Sequence, residues 1–202
     1  MHAKIEFSGR WLVHGAASGA SAGQRRDLRE QVFAMHDPLV PLPNLRAVIP
    51  ALGEAFARPA GVTGAFYLLE LSGLDEVNNR YGRVTVDAVS RAVMQRIRAV
   101  APENDLIAMI GGVEFAILAR GVQDRSEAFE ICRRYVEAFE GAVCVGNRAH
   151  NIGVTVGFAL YPDDGTTAEE IIHRADLALF GAKAEWKSNL LFFEAMSHVP
   201  AV

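Results

Sequence analysis

Gly111 and Gly112 stand side by side between two apolar runs rich in β-forming residues, Leu106–Ile110 and Phe115–Leu118. The spacing predicts a β-hairpin with a bare backbone at its tip, since a Gly-Gly pair accepts the positive φ that a tight turn needs. A tip without side chains also lets an anionic group such as a phosphate approach the backbone N–H groups closely. Ordinary turns use the same dipeptide, so the pair alone does not choose between the two roles. Glu114 follows after Val113 and brings a carboxylate to the hairpin.

The elements that must hold this hairpin lie on both sides of it. Ala65–Leu71 is a compact apolar run bounded by Gly64 and by Ser72-Gly73, which predicts a buried strand with Glu70 near its end. Val84–Val100 places Val86, Val89, Val93, Ile97 and Val100 on one stripe of a helix, and Pro102 ends it. Ser126–Phe139 repeats the pattern through Phe129, Cys132, Val136 and Phe139. Two strands are expected next, Ala142–Val145 and Ile152–Leu160, joined by a polar turn around Gly146-Asn147-Arg148. Thr166 or Thr167 can cap a last long helix whose first turn carries Glu169 and Glu170, and a final strand is expected over Leu190–Phe193.

Before these elements, Lys4–Phe7 and Trp11–Val13 read as short strands and Gly15–Gly23 as a linker. A helix pattern starts near Gln24, with Leu28, Val32 and Met35 on one face. Three prolines in His36–Asn44 exclude a continuous helix there, and a helix is expected over Leu45–Phe56.

Composition bounds the function. The 202 residues are 50% hydrophobic and 22% charged, with slightly positive mean hydropathy, as in a globular protein with a substantial core. A net charge of −4 provides no broad basic surface, so nucleic acid is not an expected partner. Cys132 and Cys144 show no Cys-x-x-Cys spacing and read as two packed thiols in a reducing compartment. No stretch approaches the ~18 apolar residues of a membrane span. The run Trp11–Ala22 is interrupted by His14, Ser18 and Ser21, too weak for a signal-peptide core. A cytoplasmic location without a membrane partner is the expectation.

Several ordered motifs then converge. Gly111-Gly112-Val113-Glu114-Phe115 resembles the signature hairpin of the GGDEF family, the diguanylate cyclases, with Val113 where the family has Asp or Glu. His36–Asn44 is similar to the family's Asp-x-Leu-Thr-Gly-Leu-Pro-Asn-Arg segment, keeping Asp37, Leu39, Leu42, Pro43 and Asn44 and departing at Val40, Pro41 and Leu45. Val77-Asn78-Asn79-Arg80-Tyr81-Gly82 resembles Ile-Asn-Asp-x-Tyr-Gly, and Asp87 follows at the family's spacing. Val154–Ala159 resembles Thr-x-Ser-x-Gly-x-Ala, with Val156 for the serine. Ala175–Lys183 is similar to Ala-Asp-x-Ala-Leu-Tyr-x-Ala-Lys. The resemblance covers residues 37–194, leaving 1–36 as an extension with a linker and lead-in helix and 195–202 as a tail.

The resemblance implies an α/β (α+β) fold: a mostly antiparallel central sheet of about five strands flanked by helices, the nucleotide-cyclase palm on a ferredoxin-like core. It also implies a task, in which two facing domains each hold GTP and condense the pair into cyclic di-GMP. A metal polarises the α-phosphate in that reaction, and hard divalent ions want carboxylates. Glu70 matches one family metal ligand, Val113 replaces the other, and Ser72 removes a further charge. Neighbouring strand residues face opposite ways, so Glu114 is not expected to take over from Val113.

Asn78 and Asp87 match the family's guanine contacts, and both side chains also suit helix caps. Gly111 and Gly112 match the phosphate-cradling backbone. Lys183 and Lys187 match the cations that meet the terminal phosphates, although lysines near a helix C-terminus also answer its dipole. Trp186 replaces a glycine beside them. The product-inhibition motif Arg-x-x-Asp survives only as Asp105 in Pro102-Glu103-Asn104-Asp105, so cyclic di-GMP is not expected to bind there. The expectation is a catalytically inactive regulatory or protein-interaction domain that requires no cofactor and works through a protein partner or a homodimer; the alternatives are an active cyclase that uses Glu70 and a re-aimed Glu114, and a scaffold that binds no nucleotide. A residual site would take GTP with Mg2+.

Overall fold

The computed structural model describes residues 4–7, 10–13, 43–57, 63–184 and 192–193. Strands β1 (Lys4–Phe7) and β2 (Arg10–Val13) pair antiparallel as a separate ribbon. Helix α1 (Leu45–Phe56) starts at Asn44, whose side-chain oxygen accepts the Arg46 backbone N–H at 3.0 Å, an N-cap. Strand β3 (Gly64–Ser72) follows, then helices α2 (Leu74–Tyr81) and α3 (Arg83–Val100). Strands β4 (Leu106–Met109) and β5 (Glu114–Arg120) flank the glycine pair and lead to α4 (Arg125–Glu137). A small ribbon of β6 (Val143–Val145) and β7 (Arg148–His150) precedes β8 (Gly153–Tyr161), α5 (Ala168–Ala184) and β9 (Phe192–Phe193).

The main sheet has the order β4-β5-β3-β8-β9, antiparallel except for β8 with β9. Its first four strands, joined through α2–α3 and α4, are the ferredoxin-like palm. Alternation along β3 builds two cores. Ala65, Tyr67, Leu69 and Leu71 pack with Val89, Val93 and Ile97 of α3 and with Ala128, Ile131, Cys132 and Tyr135 of α4. Phe66 and Leu68 point the other way, into Val48 and Leu52 of α1 and Ile171, Ala175 and Leu179 of α5. Glu70 continues that second series, so its carboxylate is delivered to the α5 face.

Four expectations change. Val143–Val145 does not lead directly into the long strand; the tight turn at Gly146, φ +61°, pairs it with Arg148–His150 instead. Phe129 lies outside the buried stripe of α4, which runs through Ala128, Ile131, Cys132, Tyr135 and Val136. Cys132 is packed as expected, and burial pushes its thiol up to about 12, but Cys144 is exposed on β6. Neither Gly111 nor Gly112 has a positive φ. The lead-in helix from Gln24, the segment 36–42, Trp186 and Lys187 lie outside the described residues.

The N-terminus of α5 is held by a capping box. The Glu170 N–H donates to Thr167 Oγ1 at 3.2 Å, and Glu170 Oε2 accepts the Thr166 N–H at 2.8 Å. The Thr166 and Thr167 N–H groups hold the Glu170 carboxyl below its usual range.

Candidate functional site

The C-terminal end of β3, the β4–β5 hairpin and the last turn of α5 bring three predicted residues together. Glu70 lies directly opposite Glu114 in the β3–β5 register, so both side chains leave the same face of the sheet. This overturns the expectation that Glu114 would point away: Val113 sits in the turn before β5, half-buried against the first core, while Glu114 opens the strand opposite Glu70. The Val113 carbonyl accepts the Leu71 N–H at 2.8 Å, which fixes the turn to β3. On the α5 side, the Lys183 ammonium donates to Glu70 Oε2 in an ion pair.

Gly111 serves a close approach. A Cβ there would lie 2.8 Å from Glu114 Oε2, so the Glu114 carboxylate folds back over the bare backbone. A Cβ on Gly112 would meet nothing within 4 Å, and the tip is open there.

Asn78 is exposed in the last turn of α2, and its carbonyl accepts the Gly82 N–H at 2.8 Å. Its side chain is not a cap for α3, which has no side-chain cap bond. Asp87 is in the second turn of α3, where Arg83 Nε donates to Oδ1 at 3.2 Å. That i,i+4 pairing was readable from the spacing and was missed. Beside Asn78, the Arg80 and Arg148 guanidinium groups lie 5.3 and 4.8 Å from the Tyr81 ring centre, giving this end of α2 a basic rim.

Asp176 was also missed as a member of the cluster. It lies two turns before Lys183 on α5; burial raises its carboxyl pKa, Glu70 adds to the rise, and His173 and Lys183 oppose it. The seven-residue spacing, which puts both side chains on one helix face, was the available signal.

The residues do not fit the divalent metal that the resemblance implies. Val113 offers no donor, Glu70 is engaged by an ammonium, and among the described residues no group of three His, Cys, Asp or Glu side chains could hold a metal ion.

Asp105, just before β4, is turned inward. Its carboxyl accepts the Arg120 backbone N–H while Oδ2 is buried without a hydrogen-bond partner, and burial pushes its pKa up to about 6. Its charge also adds to the upward shift that burial imposes on the Tyr67 and Tyr135 phenols. A carboxyl raised on folding favours the folded state below its unfolded value of 3.8, and that contribution is lost as pH rises through about 6. Asp105→Asn is therefore expected to stabilise the domain by about 1 kcal/mol near neutral pH, after discounting for partial exposure, and to flatten the stability profile between about pH 4 and 6. Urea denaturation across that range checks this; an unchanged slope would contradict it.

A four-stranded ferredoxin-like core, with an acidic strand end facing a lysine-bearing helix, gives the molecule a palm-type architecture. The chain belongs to the GGDEF family: the model described as "Diguanylate cyclase, GGDEF domain" matches residues 34–189. It is similar to the bifunctional diguanylate cyclase/cyclic di-GMP phosphodiesterase MucR of Pseudomonas aeruginosa, 31% identical over 171 residues, which are 84% of this chain and 25% of that protein. The isolated GGDEF domain of TpbB from the same organism superposes with a TM-score of 0.70 at 29% identity, covering 74% of this chain and 89% of that one. The diguanylate cyclase SiaD of Pseudomonas aeruginosa, solved with its activator SiaC, gives a TM-score of 0.67 at 27% identity, covering 81% of this chain and 64% of that one. The chain spans about a quarter of the length of the first curated relatives it matches. Among the described residues no helix is long and apolar enough to cross a membrane.

Proposed function

We propose that this chain is a catalytically inactive GGDEF domain that acts as a regulatory or protein-interaction module in cyclic di-GMP signalling and retains weak guanine-nucleotide binding. One observation carries the reading: Val113 rests on the first core while Glu70 is neutralised by Lys183, so the two positions that would supply carboxylates to a metal do not converge on one. Asn78 is exposed and Gly112 leaves the hairpin tip open, which supports a residual nucleotide site. The complex of SiaD with its activator SiaC supports a protein partner.

Isothermal titration with a non-hydrolysable GTP analogue, with and without magnesium, tests this. The expected result is weak binding that magnesium does not improve and that Asn78→Ala abolishes. Binding that depends on magnesium would contradict it. The facing of Glu70 by Glu114 favours one second reading, an active cyclase in which these two acids replace the usual pair. It requires cyclic di-GMP formation that Glu114→Gln removes.

A further inference from the structure

The corner where α2 meets α3 is open: Gly82 forms it with φ +77°, and a Cβ there would meet nothing within 4 Å. Asn78 is exposed on one side of this corner, and Arg83 and Asp87 lie one turn apart on the same stripe of α3 on the other. Arg83 is the first residue of α3, where a cation opposes the helix dipole, and no acidic residue lies in that first turn to answer it. An arginine four residues before an aspartate is also the weaker order for a helical ion pair. With the Arg83 side chain 80% exposed, such a pair adds little to stability. Helix stability therefore does not account for an arginine at this position.

What the pair does is set two hydrogen-bonding edges side by side. Arg83 Nε donates to Asp87 Oδ1 at 3.2 Å and so uses one of the five guanidinium donors. Among the described residues, the terminal amino groups of Arg83 and Asp87 Oδ2 have no hydrogen-bond partner. An accepting carboxylate beside a donating guanidinium complements a flat ring that offers donors next to acceptors. Guanine offers that order, with its N1–H and 2-amino donors beside the O6 and N7 acceptors. Adenine carries an amino donor where guanine has O6, and would meet the guanidinium donor to donor.

We propose that Arg83 is a specificity-determining residue of the nucleotide site, its terminal amino groups donating to guanine O6 and N7 while Asp87 accepts from N1–H and the 2-amino group. The inference rests on the reading that the domain retains weak guanine-nucleotide binding, and adds to that site a residue beyond Asn78 and Asp87.

The test is calorimetric titration of the full chain, in buffer freed of metal by a chelator, with GTP and with 7-deaza-GTP, in which a C–H replaces N7. The wild type is expected to bind GTP about fivefold more tightly than 7-deaza-GTP, as the loss of one half of a bidentate guanine contact implies. Arg83→Met should bind GTP at least about fivefold more weakly and should not distinguish the two nucleotides. Its melting temperature should stay within about 2 °C of the wild type, which separates a lost contact from a lost fold. GTP binding by the wild type without preference over 7-deaza-GTP, or a preference that Arg83→Met keeps, would overturn the proposal and leave the nucleotide site standing. Tighter GTP binding by Arg83→Met would overturn it too, by showing that Arg83 blocks Asp87. Absence of binding by the wild type to either nucleotide would overturn the reading of a residual site, and this inference with it.

Discussion

Gly157→Ala is expected to destabilise the domain by at least about 3 kcal/mol, the upper end for overpacking, because the new methyl group meets backbone that cannot swing aside. Its Cβ would lie 2.3 Å from the Leu179 nitrogen, 2.5 Å from the Ala175 carbonyl oxygen and 2.7 Å from the Leu179 Cα. The clash can be relieved only by lifting α5 from β8. That movement would open the second core, in which Ile171, Ala175 and Leu179 pack on Phe66, Leu68 and Ala159. For a chain of this size the melting temperature should fall by roughly 6–12 °C or more. A differential scanning measurement within about 2 °C of the wild type would show that α5 is not seated as described. Because α5 also carries Lys183, the same substitution should weaken the ion pair to Glu70.

Val113→Asp is the obvious repair of the signature, and it is expected to fail. Val113 is half-buried against the first core, within the turn and with its own carbonyl accepting the Leu71 N–H, whereas Glu70 emerges on the opposite face. An aspartate there must either face apolar side chains or reshape the turn, a cost of about 1–3 kcal/mol on the scale of a buried polar group without a partner. The variant should be less stable by that amount in urea and should still yield no cyclic di-GMP from GTP with magnesium or manganese. Product formation by the single variant would show that the remaining machinery is intact and that Val113 alone silences it.

The elements were largely readable because each has a clean period. The buried run at Ala65–Leu71 became β3 with one residue added at either end, and the stripe Val89, Val93 and Ile97 became the buried face of α3. What could not be read depended on partners distant in sequence. Val143–Val145 and the long strand after it are both apolar and extended, and only the turn at Gly146 decides that they belong to different sheets. Cys144 and Phe129 are apolar residues whose exposure is set by what packs against them, which no local pattern encodes.

The site shows the same division. Glu70, Glu114 and Lys183 were singled out one by one, and the structure brings them together. Their relation was hidden, because it follows from the β3–β5 register and from the seat of α5 on β8. The glycine pair does form the tip, but without a positive φ: at Gly111 the bare backbone leaves room for the Glu114 carboxylate above it. Asp87 and Arg83, by contrast, are four residues apart on one helix, and their pairing needed only local reasoning.

The most direct test of the account is incubation of the purified chain with radiolabelled GTP and either magnesium or manganese, over a range of protein concentrations, with products separated by chromatography. The account predicts that GTP remains unconverted throughout. Accumulation of cyclic di-GMP, rising more than linearly with protein concentration as two facing domains would require, would contradict it.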